Sequence, residues 1–152
     1  MLLYFKKMKI ILTTLSLLFS IAIVNAQEWH TDFSEAQEIA TSSNKPIILV
    51  FQGSDWCAPC IKLDKEIWST EEFKSYAKEH YVMLKADFPR KKSNKLSEEQ
   101  TEANKKLAEK YNKQGYFPFV VVLNSKGEVL GETSYKKATP KKYIEEINAF
   151  LK

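Results

Sequence analysis

Ile47-Ile48-Leu49-Val50-Phe51 is an unbroken apolar run, mostly β-branched, and it constrains the fold more than any other feature of the chain. It has no polar face to turn to water, so as a strand it is buried on both sides. Lys45-Pro46 breaks the chain before it, and Gln52-Gly53-Ser54-Asp55 turns the chain after it. Trp56-Cys57-Ala58-Pro59-Cys60 then opens a helix that the spacing carries toward Trp68, with Pro59 interrupting its start.

The remaining elements follow from caps and periodicity. Asp32-Phe33-Ser34-Glu35 resembles a capping box, with Phe33, Ala36, Ile39 and Ala40 at helical spacing. Ser69-Thr70-Glu71-Glu72 caps a helix through Phe73, Tyr76 and Ala77. Tyr81–Asp87 is a second buried strand, and Phe88–Asn94 a basic loop. Ser97-Glu98-Glu99-Gln100 starts a helix reaching about Asn112, with Ala103, Leu107, Ala108 and Tyr111 inward. Phe119–Leu123 and Glu128–Thr133 flank the turn Asn124-Ser125-Lys126-Gly127 as a hairpin. Thr139-Pro140 caps a last helix with Tyr143, Ile144, Ile147, Phe150 and Leu151 as its apolar stripe. Helices crossing between strands imply a partly parallel sheet, to which the hairpin adds antiparallel strands.

The first 26 residues have a different character. Lys6, Lys7 and Lys9 precede the apolar stretch Ile10–Val24, and Val24-Asn25-Ala26 offers a small-residue cleavage site before Gln27. These are the parts of a secretory signal peptide. The stretch is shorter than the roughly 20 residues of a membrane helix, which favours a cleaved leader over a retained anchor. No cysteine stands at the cleavage point for a lipid anchor. Met8 is a second possible start. We therefore expect a leader over 1–26, one domain over 27–152, export to the periplasm or outside the cell, and membrane contact only during export. Without the leader's three lysines, 20 basic groups face 19 acidic ones. So balanced a body argues against nucleic-acid binding.

Both cysteines lie in Trp56-Cys57-Ala58-Pro59-Cys60. Three residues apart on a helix, they share a face, and their sulfurs can close a small ring. Cys57 falls at the helix N-terminus, where free N–H groups and the dipole favour an anion. That setting lowers a thiol from about 8.5 toward about 7, and the thiolate is the nucleophile. Cys60, one turn in, is expected to be the less exposed thiol. Three readings apply: a redox pair, an inert disulfide, or a metal site. So short a loop gains little from a bridge. Zinc wants four ligands, and His30 and His80 are distant in sequence, so no metal ligand is assigned. A two-thiolate copper(I) site is the metal alternative.

Ile47–Cys60, with Phe117-Pro118 after a helix and Lys62-Leu63-Asp64-Lys65-Glu66 after the second cysteine, resembles the thioredoxin superfamily over about residues 28–152. The similarity is greatest to exported members whose motif follows Gly-Ser-Asp. The resemblance implies an α/β thioredoxin fold: a central mixed sheet with helices on both faces, an extra N-terminal helix, and an extended insert before the cis-proline strand. It implies that Cys57 attacks and Cys60 resolves. Trp56, Ala58, Pro59, Phe117 and Pro118 would line the substrate groove. Pro118 would be the cis proline, with the Phe117 backbone free to pair with an extended substrate. The plainer reading of Pro118 is a proline at a strand start.

Three departures from the family stand out. Its buried Asp, six residues before the first cysteine, is Phe51 here, and the partner Lys falls near Met83. Replacing both strands no charge, but it removes the usual proton acceptor for Cys60 and leaves water or Asp55 to help. The stretch from Asp87 to Pro118 is longer by about one helix and loop. The family's glycine near the last strand falls at Tyr135.

Other candidates have plainer readings. Asp55 is a proton acceptor or a turn cap. Trp29 and Trp68 are core, and His30 and His80 surface or cap residues. Arg90-Lys91-Lys92, Lys95, Lys105, Lys106 and Lys110 alternate with Glu98, Glu99, Glu102 and Glu109, a solvated face rather than a steering patch. The expected function is thiol–disulfide exchange on exported proteins through Cys57 and Cys60. The Ala-Pro dipeptide carries no cation, so the expected direction is reduction, fed by a membrane thiol donor and needing no cofactor. The alternatives are a non-catalytic binding module and a copper(I) carrier.

Overall fold

A computed structural model describes residues 27–152, so the expected leader over 1–26 lies outside the described residues. The apolar run forms β2 (Ile47–Gln52), with every residue from Ile47 to Phe51 buried. It pairs in parallel with β3 (Val82–Asp87) and antiparallel with β4 (Phe119–Leu123). The two-residue strand β1 (Trp29–His30) adds to the free side of β3, and β5 (Val129–Thr133) pairs with β4. The sheet order is thus β1-β3-β2-β4-β5. The hairpin turn is fixed by Gly127 in the left-handed region and by Asn124 Oδ1, which accepts the Lys126 and Glu128 N–H groups.

Alternation along β2 divides the core. Ile48 and Val50 face Leu63, Ile67, Trp68, Phe73, Tyr143 and Ile147 on one side of the sheet. Ile47, Leu49 and Phe51 face Ala36, Ala40, Leu107 and Tyr111 on the other. The first layer belongs to α2 (Ala58–Leu63), α3 (Glu71–His80) and α5 (Pro140–Ala149). The second belongs to α1 (Phe33–Ser43) and α4 (Glu98–Tyr111). Side-chain oxygens of Asp32, Thr70, Ser97 and Thr139 cap α1, α3, α4 and α5, where the sequence places those caps. Helices on both faces, the N-terminal α1 and the helix-bearing insert between β3 and β4 make this the expected fold.

Two features that bear on the core have no counterpart in the sequence reading. One is β1, placed by pairing with Met83 and Leu84. The other is a π-helical turn, Asp64–Trp68, that continues α2 and brings Ile67 and Trp68 into the core. Pro59 does not interrupt the helix, because it sits within the first turn, where no N–H is needed. Trp68 meets Phe73 and Tyr143 edge-on, at ring separations of 4.6 and 5.3 Å. Trp29, expected in the core, is half-buried at its margin and meets Trp68 at 6.2 Å. Trp68→Ala is expected to cost about 3–5 kcal/mol, read from denaturant unfolding followed by far-ultraviolet circular dichroism. A loss below about 1 kcal/mol would show that Trp68 does not anchor this layer.

Candidate active site

The chain leaves β2 into a turn held by one carbonyl. Gly53 O accepts the N–H groups of Trp56 at 3.3 Å and Cys57 at 2.9 Å. A Cβ at Gly53 would fall inside the Trp56 indole, so only glycine lets the ring lie against the turn. Cys57 is the N-cap of α2, and its Sγ accepts the Cys60 N–H at 3.3 Å. Cys57 and Cys60 are joined as a disulfide with their Cα atoms 5.2 Å apart. Both are 4% exposed, so in the bridged form Cys60 is not the more buried of the two. Ala58 and Pro59 are exposed beside them on the first turn.

The Phe117–Pro118 peptide is cis, and Pro118 is buried immediately before β4. The Phe117 ring meets the Trp56 ring at 5.4 Å and the Phe88 ring at 5.5 Å. Residues from three loops therefore converge: Trp56 after β2, Phe88 after β3 and Phe117 before β4. Trp56 Nε1 donates to Phe88 O at 2.7 Å. Ser134 Oγ donates to Pro118 O at 2.6 Å. The next residue, Tyr135, donates to Glu66 Oε2 at 2.7 Å. That carboxylate holds the phenol above its ordinary value.

Asp55 has a different job from the proton acceptor the sequence allowed. Its carboxylate accepts the Arg90 and Lys91 N–H groups, each at 2.9 Å, and Asn94 Nδ2 at 3.0 Å. The Arg90 N–H bond is the largest influence, and the set holds Asp55 below its ordinary value against a smaller desolvation effect. A carboxylate so occupied is a weak base at neutral pH.

The positions of the family's Asp and Lys, Phe51 and Met83, are both buried and apolar. Met83 lies in the layer with Ile48 and Val50, on the opposite face from Phe51. The residue in register with Phe51 is Ala86, also buried and apolar, so no charge is stranded at any of the three positions. His30 is largely buried, with Nδ1 3.7 Å from Glu35 Oε2, rather than at the surface. His80 is exposed and stacks on Tyr76.

The sequence reading missed Arg90 and Phe88 as neighbours of the site. Topology carries the signal: β3 runs parallel beside β2, with Gln52 in register with Asp87, so the loops after both strands emerge together. Ser54 N and Oγ tie them further by donating to the Asp87 carboxylate at 2.9 and 2.6 Å.

A mixed five-stranded sheet with a Cys-x-x-Cys pair at the start of the helix after its central strand defines a thiol–disulfide oxidoreductase of the thioredoxin superfamily. The chain belongs to the thioredoxin-like family, whose model matches residues 28–125. It is 36% identical over 132 residues to the disulfide bond reductase DsbH of Chlamydia pneumoniae, covering 87% of this chain and 76% of that protein. A solved structure of DsbH oxidoreductase superposes with a TM-score of 0.77 at 34% identity, over 87% of this chain and 90% of that one. The fold is also that of a disulphide isomerase from Xylella fastidiosa Temecula1 (TM-score 0.57, 23% identity, 78% of this chain and 87% of that one).

The Asp55 bonds are complete above the ordinary carboxylate value of 3.8 and are lost as pH falls through the lowered one. The Arg90 and Lys91 amide resonances should therefore shift together with a midpoint below 3.8. In Asp55→Asn this transition should vanish and amide exchange at both positions accelerate by about tenfold. A midpoint at or above the ordinary value would contradict the assignment.

Proposed function

We propose that the chain is an exported reductase of protein disulfides, with Cys57 as nucleophile and Cys60 as resolving thiol. The observation that carries the reading is the N-cap position of Cys57, whose sulfur accepts the Cys60 N–H. An N–H donated to that sulfur at the helix start favours its thiolate, which both attacks and leaves more readily. The similarity to a protein named disulfide bond reductase supports the reducing direction. The charged start, apolar core and small-residue end of the first 26 residues support export.

The reaction balances without a cofactor. The Cys57 thiolate attacks one sulfur of the substrate disulfide, and the second substrate sulfur leaves as a thiolate. The Cys60 thiolate then attacks Cys57 Sγ, breaks the mixed disulfide and releases the first substrate sulfur. The substrate gains two electrons, and Cys57–Cys60 is left oxidised, as it stands in the structure. A thiol donor at the membrane would return the pair to the dithiol. The exposed Ala58 and Pro59 and the half-buried Trp56 and Phe117 form the groove wall in this reading. Pro118 shapes the wall, with its carbonyl taken by Ser134.

The reduction potential of the pair, equilibrated against glutathione buffers, tests the direction. A value near about −270 mV is expected; one near about −120 mV would make the protein a disulfide donor instead. Cys57→Ser should abolish exchange. Cys60→Ser should instead accumulate a mixed disulfide with the substrate, visible as a mass adduct. Exchange that survives replacement of both cysteines by alanine would sink the enzymatic reading.

A further inference from the structure

The loop after β3 sets a fixed cation beside the dithiol, and disulfide exchange itself does not use it. Arg90 lies with its guanidinium carbon 3.7 Å from the centroid of the Trp56 ring, and Trp56 is the residue before Cys57. The loop that carries Arg90 is fastened on both sides. Phe88 N donates to Gln52 O at 2.9 Å, and Phe88 O accepts from Trp56 Nε1 at 2.7 Å. The Asp55 carboxylate holds the N–H groups of Arg90 and Lys91 and the side chain of Asn94. A guanidinium stacked on an indole from an anchored backbone has less freedom to lose when an anion arrives.

Arg90 is exposed, and among the described residues no carboxylate pairs with it. Lys91, Lys92 and Lys95, all exposed, continue from it around a recess of about 280 Å³. The one acid lining that recess is Asp87, whose carboxylate is already occupied by the Ser54 N–H and hydroxyl. The rim therefore presents four cations beside two carboxylates, Asp87 and Asp55, each held by hydrogen bonds to neighbouring backbone and side-chain donors. The basic residues of α4 differ. There Lys105 lies 3.9 Å from Glu102, the mixed solvated face that the sequence pattern suggests.

We propose that this rim is the docking surface for an acidic, extended polypeptide segment flanking the substrate disulfide, with Arg90 as the specificity-determining residue. The inference rests on the disulfide-exchange reading of Cys57 and Cys60 and names the substrate class for that site. Screening sets the range. At physiological salt, charges act over about 8 Å, so only carboxylates close to the reacting disulfide are read. A cation stacked on the ring of the residue before Cys57 steers such a segment and disfavours a basic one.

Three synthetic peptides test this, each with the same intramolecular disulfide ring flanked by Asp/Glu, by Ser/Gly or by Lys. Their rates of oxidising the reduced protein are compared with the rate for hydroxyethyl disulfide, which has no charge. At low salt the acidic peptide should react about tenfold faster than the lysine peptide, and the ratio should fall toward one at high salt. Arg90→Glu should reduce the ratio at least about threefold, and Arg90→Glu with Lys92→Glu should bring it to parity or invert it. Arg90→Lys should keep most of it. A wild-type ratio near one while hydroxyethyl disulfide reacts overturns the docking proposal alone. So does a ratio that the double variant leaves unchanged. No reaction with any of the four disulfides overturns the exchange reading, and this inference with it.

Discussion

The carbonyl of Gly53 organises everything that follows it. By accepting two successive N–H groups it turns the chain sharply out of the central strand and delivers Cys57 to the helix start. The missing side chain matters as much, since the Trp56 indole occupies the space a Cβ would need. The indole then reaches the backbone of the neighbouring loop through Nε1 and the Phe117 ring through its face or edge. One glycine thus fixes Cys57, the indole beside it and the loop beyond. Each of these bonds is made by backbone or by a packed ring, so little of the arrangement depends on flexible side chains.

The sheet supplies the second level of order. Because β2 and β3 run in parallel, their C-terminal loops emerge at the same edge, and the antiparallel β4 brings Phe117 and Pro118 to that edge from the other direction. This is a consequence of strand direction alone. The insert between β3 and β4 places α4 against the layer opposite α2, so its added length thickens one side of the core without covering the dithiol's helix.

Much of this was legible in the residues. Ile47–Phe51 has only one way to be buried, and Thr70, Ser97 and Thr139 announce helices because their hydroxyls satisfy local N–H groups. The Cys-x-x-Cys pair is likewise local. What escaped is what depends on partners far away in sequence. Trp29 and His30 form a strand only because Met83 and Leu84 offer an edge, and two residues carry no period. Asp55 looks like any turn acid until the loop some 35 residues later closes on it. Phe51 and Met83 read simply as two apolar letters, and only the strand register shows that they face opposite sides of the sheet. Arg90 stands in an all-basic loop that runs, in sequence, straight into a helix of mixed charge, although in space the loop and the helix are separate surfaces.

The helix that begins at the dithiol ends, through its π-helical turn, at Trp68, which meets the rings of Trp29, Phe73 and Tyr143. From Ala58 to Trp68 it forms one rod of about 16 Å, with the sulfurs at the tip and the root clamped among Trp29, Phe73 and Tyr143. A clamped rod transmits tilt. Core substitutions that merely loosen packing elsewhere would here swing the sulfurs relative to the groove. Inheritance of redox behaviour within this lineage should accordingly track the aromatic residues at the root as closely as the dipeptide between the cysteines.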